Sequence, residues 1–242
     1  MAVDKSGNRV QQMFAEIAPK YDLMNHLLSM NVDRWWRSRT VKRLQPGAEF
    51  RALDVCTGTG DLAIALWQKI KKESGGKAFE VVGADFCRPM LEIGVGKAQR
   101  LNCDSLQFVE ADAMHLPFAD DQFDVVTVAF GLRNFAGTEE GLSEMVRVCN
   151  PGGRVAVLEF TMPRIWPLSS MYQFYFLKVL PKVGQWFARN NSDAYNYLPE
   201  SVGQFPQYEA LAKMMNQAGL KDVKFYPMTI GLATLYVGVK RE

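Results

Sequence analysis

The sequence has little excess charge: Lys and Arg number 28 against 26 Asp and Glu. An imbalance that small gives no argument for a nucleic-acid partner. Cysteine is sparse, and Cys56, Cys87, Cys103 and Cys149 form no C-x-x-C pair. Neither a zinc site nor a disulfide framework is indicated, no metal is expected, and reduced thiols in a cytosolic setting are the plain expectation. No apolar run approaches the ~18 residues of a membrane-spanning helix. The first residues, Met1-Ala2-Val3-Asp4-Lys5, lack an apolar signal core. There is no internal repeat and no low-complexity segment. What remains is an ordinary globular composition over 242 residues, read as one domain able to bury a substantial core.

The chain is organised around Leu53-Asp54-Val55-Cys56-Thr57-Gly58-Thr59-Gly60-Asp61. Arg51 to Val55 is mostly apolar and reads as a core strand; Leu62, Ala63, Leu66, Trp67 and Ile70 follow at helical spacing. Gly58 and Gly60 remove side chains where backbone must approach a ligand, and the helix start directs free N–H groups toward it. The turn formally matches the dinucleotide pattern G-x-G-x-x-G/A, with Asp85 ending the next strand. Against a pyrophosphate stand Asp54 within the strand and Asp61 at the helix N-terminus. Carboxylates there suit a cationic ligand such as S-adenosylmethionine, whose ribose still needs an acid such as Asp85.

Val10, Met13, Phe14 and Ile17 predict an amphipathic helix ending near Ala18-Pro19, and Asp33-Arg34-Trp35-Trp36 opens another. Helices before the first strand imply an N-terminal cap. Further strands are expected at Phe79–Ala84, Leu106–Val109, Phe123–Phe130 and Arg154–Phe160, the last after a Pro151-Gly152-Gly153 turn, with helices from Pro89 and over Thr138–Val148. A helix from Phe205-Pro206 to Gly219 and closing strands at Asp222–Met228 and Leu232–Val239 complete the pattern. The fold class is therefore α/β and Rossmann-like: a mainly parallel seven-stranded sheet with helices on both faces. Residues 1–45 form the cap, 46–160 the cofactor-binding half, 161–205 an aromatic insertion, and 206–242 the closing helix and strands. Asp85, Asp112, Ala129 and Arg133 all fall at or just past strand ends, the rim where such sheets bind ligands. In the insertion, a helix over Leu168–Leu180 would be apolar on both sides, with Phe174 and Leu177 away from its main stripe. Lys178, Lys182 and Arg189 nearby would suit an anionic bilayer.

Several segments resemble the ubiquinone/menaquinone biosynthesis C-methyltransferase family of class I methyltransferases. They are Tyr21-Asp22-x-Met24-Asn25-x-x-Leu28-Ser29 with Trp36, Phe130-Gly131-Leu132-Arg133-Asn134, Arg147 to Val155 continuing to Leu158-Glu159, and Asp193-Ala194-Tyr195-x-Tyr197-Leu198-x-Glu200-Ser201-Val202. Asp33, Asn150 and Thr161 depart from the family's usual histidine, lysine and serine, and Ala129 stands where serine is frequent. The resemblance implies C-methylation of a polyprenylated benzoquinol or naphthoquinol with S-adenosylmethionine as donor. It implies cofactor contacts at Thr59, Asp85, Asp112-Ala113 and Ala129; Asp54, Gly58, Gly60 and Phe86 are further cofactor-binding candidates.

A methyl sulfonium is already activated, so the protein must hold the attacking carbon in line at roughly 3 Å. Carbon needs an electron-rich ring, which requires removal of a quinol proton and stabilisation of the phenolate. Arg133, helped by Asn134, is the candidate for orienting and stabilising that oxygen; always protonated, it is a poor base. A water held by Arg133, or His26 in the cap, would take the proton. Tyr21, Asn25, Tyr195 and Tyr197 are candidates for the ring pocket. Against these roles stand packing functions for the tyrosines and His26, and an ion pair of Arg133 with an acid such as Glu159. The aromatic stretch from Trp166 to Phe187 is material for an isoprenoid groove. The expected setting is cytoplasmic, peripheral on the inner face of the membrane, with a homodimer or a quinone-synthesis complex as further possibilities and no nucleic acid. Two rival readings are an NAD-dependent oxidoreductase using the same turn and a non-catalytic scaffold of a quinone-synthesis assembly.

Overall fold

The computed structural model describes residues 6–46, 49–166 and 194–242. Three helices come first: α1 (Gly7–Ile17), α2 (Tyr21–Leu28) and α3 (Val32–Leu44). Then β1 (Arg51–Val55), α4 (Asp61–Ser74), β2 (Glu80–Asp85), α5 (Arg88–Arg100), β3 (Leu106–Glu110), β4 (Phe123–Ala129), α6 (Thr138–Val148) and β5 (Cys149–Phe160) alternate. The chain closes with α7 (Ala194–Gln204), α8 (Glu209–Gln217), β6 (Leu220–Met228) and β7 (Ala233–Lys240).

The seven strands form one sheet in the order β3-β2-β1-β4-β5-β7-β6. β1 pairs in parallel with both β2 and β4, while β7 runs antiparallel to β5 and β6. Strand order reverses between β1 and β4, so a crevice opens at their carboxyl ends. Alternation along each strand feeds two cores. Leu53, Val55, Val126 and Val128 pack under α6 and α8, with Leu142, Met145 and Leu211. Ala52, Val125 and Leu158 pack on the other face with Leu62, Leu66 and Ile70 of α4 and with Trp36 and Leu44 of α3. Strands buried on both faces read as near-continuous apolar runs, which is why their bounds were visible in the sequence.

Two expectations are corrected. Pro151-Gly152-Gly153 does not precede the fifth strand; it bulges within it. Cys149 already pairs with Phe123, and pairing resumes at Val125 with Arg154, so the extra residues loop out with Gly152 at φ +74°. The helix expected from Pro206 starts only at Glu209. Tyr208 adopts φ +52°, donates its N–H to Tyr236 Oη at 2.6 Å and its hydroxyl to Met162 O at 2.7 Å. Those bonds hold the segment to the sheet and delay the helix. A separate helix, α7, closes the insertion assigned to residues 161–205. The helix predicted over Leu168–Leu180, with Lys178, Lys182 and Arg189, lies outside the described residues.

The turn after β1 is shaped by one aromatic ring. A Cβ on Gly60 would fall 2.8 Å from Phe108, on Gly94 also 2.8 Å, and on Gly83 3.2 Å from the same ring and 2.9 Å from Thr57. Gly60, expected to make room for a ligand, makes room for Phe108 instead. At Gly58, φ is +54° and a Cβ would meet no protein atom within 4 Å.

Candidate active site

A cavity of about 280 Å³ opens at the carboxyl ends of β1, β2 and β4, beneath the cap. Gly58, Asp85, Phe86, Asp112, Ala113 and Ala129 line it from the sheet side, as the sequence led us to expect. Tyr21 and Asn134 line it as well. The cap adds Val10, Gln11 and Phe14, which sequence reasoning missed. Gln11 was detectable in principle, since it shares the α1 face next to Val10 and Phe14; its Nε2 donates to Phe86 O at 2.7 Å.

Asp85 is almost fully buried and accepts N–H groups from Gly58 and Cys87, both at 2.8 Å. Burial raises its pKa, and the backbone donors pull part of that shift back. Cys56 and Phe130, the residues just past β1 and β4, both take positive φ, +50° and +58°. Such backbone is sparsely populated for non-glycine residues, and here both outliers border the cavity. Burial, then Asp85, Asp54, Asp112 and Glu159, push the Cys56 thiol well above its ordinary pKa. It stays protonated and is no nucleophile. Asp85 and Asp112 are the carboxylates that line the cavity, and among the described residues no Lys, Arg or His lines it.

Other candidates stand behind the wall. Asp54 is 1 % exposed and accepts the hydroxyls of Thr57 and Thr127, both at 2.7 Å. It braces the turn from below and does not line the cavity. Burial pushes its pKa up to about 6 from 3.8, against the two hydroxyls. A folded-state pKa above the free value stabilises the fold fully below about 4, and that contribution fades as pH rises through about 6. Relative to Asp54→Asn, the wild-type protein is therefore expected to lose up to about 3 kcal/mol between those limits. Melting curves of both proteins from acidic to neutral pH test this. Parallel curves would mean that Asp54 does not titrate there.

Thr59 is buried and donates its hydroxyl to Asp22 at 2.5 Å, away from the cavity. Asp22 also pairs with Lys97 at 2.9 Å, and Lys97 pairs in turn with Asp61. His26 Nδ1 lies 2.9 Å from Asp33 Oδ2 and its Nε2 4.0 Å from Asp61, so it belongs to this network and not to the cavity wall. Burial pushes Asp33 up, but Ser29, Arg37 and His26 outweigh it and leave its pKa below the ordinary value. The donor atoms of His26, Asp33 and Asp61 converge within 4.8 Å. Arg37 and Lys97 already neutralise those carboxylates. The network fastens α2 and α3 onto the glycine turn. Its signal in the sequence was the Tyr21-Asp22 pair: one residue faces the cavity and the next holds the turn.

Arg133 is buried and its Nη1 pairs with Glu159 Oε2 at 2.8 Å and with Phe130 O. The ion pair set against its catalytic role is thus present. Yet Arg133 Nε and Asn134 Oδ1 are both buried without a hydrogen-bond partner among the described residues. Burial raises the Tyr21 pKa, while an Asn25 hydrogen bond and the charges of Arg133 and Arg37 draw it down. Asn25 itself is half-buried and outside the cavity wall. Tyr197 is buried and not part of the wall among the described residues, and the side chain of Tyr195 lies outside them.

The model of the ubiE/COQ5 methyltransferase family matches residues 2–240. The chain is 49 % identical to a demethylmenaquinone methyltransferase of Thermus thermophilus, over 93 % of this chain and 99 % of that one. It is 42 % identical to a ubiquinone/menaquinone biosynthesis C-methyltransferase of Citrifermentans bemidjiense, over 99 % of each. Its fold is similar to a putative S-adenosyl-L-methionine-dependent methyltransferase from Methanococcus maripaludis, with TM-score 0.65 and 16 % identity over 100 % of this chain and 98 % of that one.

Proposed function

The chain belongs to the ubiE/COQ5 methyltransferase family, whose donor is S-adenosylmethionine, and from that premise we propose that it methylates a ring carbon of a polyprenylated quinol. We take demethylmenaquinol as the first substrate to test, because relatives at 49 % and 44 % identity carry the name demethylmenaquinone methyltransferase. The observation that carries the site reading is the cavity's charge: Asp85 and Asp112 face it and no basic side chain does among the described residues. A cationic ligand with a ribose fits that donor set, and a pyrophosphate does not. This also speaks against the nicotinamide alternative, as does the family.

Bound S-adenosylmethionine supplies a methyl group on a positively charged sulfur. Asp85 holds the ribose, with its carboxylate fixed by the Gly58 and Cys87 N–H groups. Phe86, Asp112, Ala113 and the backbone at Ala129 border the rest, while Thr59 and Gly60 hold the turn's shape from outside. Tyr21 stays a neutral phenol at physiological pH, since its pKa is raised above 10.0, and so serves as a hydrogen-bond partner for a ring oxygen. Asn134 Oδ1 offers an acceptor beside it. Arg133 places a fixed cation behind them, where it stabilises the phenolate that makes the ring carbon nucleophilic. His26 lies outside the wall, so the proton leaves through solvent rather than through that imidazole.

A lipid-tailed quinol resides in a bilayer, and that supports reading the enzyme as peripheral on the inner face of the membrane. No helix among the described residues is long and apolar enough to cross a bilayer. Incubation with methyl-labelled S-adenosylmethionine and both benzoquinol and naphthoquinol acceptors tests the reaction. Label on a ring carbon of the naphthoquinol is expected by mass spectrometry. Cofactor binding without transfer to either ring would overturn the proposal.

A further inference from the structure

Some surface cations lie beside a carboxylate, among them Lys71, Lys77, Arg88 and Arg164. Others, such as Lys72, Arg100 and Lys213, form no ion pair among the described residues. One helix gathers several of the second kind. α3 buries Asp33, Trp36, Thr40, Val41 and Leu44 and turns Arg34, Trp35, Ser38, Arg39, Lys42 and Arg43 outward. These six recur at i, i+1, i+4, i+5, i+8 and i+9, so they share one stripe. Four are cationic, none is acidic, and among the described residues none of the four is ion-paired. Arg39 and Arg43 lie instead over the rings of Trp35 and Tyr226, at 5.2 and 3.7 Å.

Apolar side chains also protrude on α3 and on the segment that leads into it. Trp35 is 45 % exposed, Met30 in the turn leading into α3 is 81 %, and Leu23 on α2 is 67 %. A row of like charges repels itself, and a protruding Met or Leu is penalised by water. A bilayer interface with anionic headgroups relieves both, because it offers counter-charge at the surface and apolar depth just below. A nucleic-acid backbone would meet only the cations. The opposite side of α3 points to the same partner. Trp36 packs 5.9 Å from Phe130, which lines the cavity, and 6.0 Å from Phe160. A membrane resting on the stripe would lie one helix away from the site, a short path for a lipid tail.

We propose that the outward stripe of α3, with Trp35 at its head and exposed Met30 in the turn before it, is the contact that seats the protein on an anionic bilayer. It rests on the proposed function only in treating the bilayer as the source of substrate. The test is sedimentation of the full chain with phosphatidylcholine vesicles, with and without phosphatidylglycerol. Wild-type protein is expected to follow the anionic vesicles only, and less so as salt rises. Each cation near such a surface strengthens binding roughly fivefold, so the Arg34→Gln/Arg39→Gln/Lys42→Gln variant should lose on the order of 100-fold. Arg34→Lys/Arg39→Lys keeps the charge and should bind like wild type. Unchanged melting temperatures and unchanged turnover of a soluble short-chain quinol would show that the lost cations act only at the surface. Wild-type binding by the triple Gln variant, equal binding to neutral vesicles, or a stripe-dependent preference for duplex DNA over anionic vesicles would each overturn the proposal. Absent turnover with vesicle binding intact would count against the methylation reading alone and leave this one standing.

Discussion

Arg133→Ala is expected to lose ~10²–10³ in kcat, the typical effect of removing one preorganised donor, while its affinity for S-adenosylhomocysteine changes little. The guanidinium is buried just beyond β4, next to cavity-lining Asn134, and its Nε–H has no acceptor among the described residues. Buried donors without partners are rare, and an oxygen arriving with the substrate supplies one. The same substitution strips Glu159 of its cation. Removing one partner of a buried pair typically costs about 3–5 kcal/mol, so the melting temperature should fall as well. Glu159 keeps its bonds from the Arg133 and Phe160 N–H groups, which should leave the fold intact. A double variant separates the two effects. Arg133→Ala/Glu159→Gln removes the orphaned charge and should recover much of the stability without recovering kcat. Arg133→Lys should also stay slow, because a point ammonium cannot copy the planar fork. Near-normal kcat in folded Arg133→Ala would reduce Arg133 to a structural ion pair.

Asp85→Ala should weaken S-adenosylhomocysteine binding by about 1.5–3 kcal/mol, the range for charge-assisted hydrogen bonds. The side chain does two things at once. It presents a carboxylate to the cavity, and it accepts the N–H groups of Gly58 and Cys87 on either side. Asp85→Asn keeps an acceptor for the backbone but loses the charge, so it should fall between Asp85→Ala and wild type. Acidification should mimic that variant. Burial raises the pKa, so Asp85 takes up its proton at a higher pH than a free aspartate, and affinity should decline on that approach. Calorimetry across pH with both variants reads this directly. Unchanged affinity in Asp85→Ala would place the cofactor elsewhere.

How far the sequence reached depends on what decides each feature. Strand and helix bounds were legible because they follow from burial. β1 at Arg51–Val55 and α6 at Thr138–Val148 match the periodicity to the residue. The bulge at Gly152 and the late start of α8 were not legible. Each depends on a partner far along the chain, Phe123 for Cys149 and Tyr236 for Tyr208. The site divides the same way. Asp85, Asp112 and Ala129 stand at strand ends, and topology alone carries them to the rim. Asp54, Thr59 and His26 are neighbours in sequence of residues that matter, but their side chains turn toward Thr127, Asp22 and Asp33. No local pattern encodes those directions. Gly60 is the sharpest case: a glycine in a ligand-binding turn whose missing side chain accommodates Phe108.

The placement of β7 sets an order of assembly. It is the last strand made, yet it lies between β5 and β6 and pairs along β5 from Phe160 to Arg154. As the chain leaves the ribosome, β1 to β5 can associate first, since each has its neighbours already synthesised. The free side of β5 then stays an open, largely apolar edge over Val155 to Leu158 until residues 233–240 emerge. During that interval the nascent protein carries a nearly complete cofactor half beside an unpaired strand that any other edge could join. Synthesis of residues 233–240 therefore does more than extend the sheet: it covers the open edge of β5.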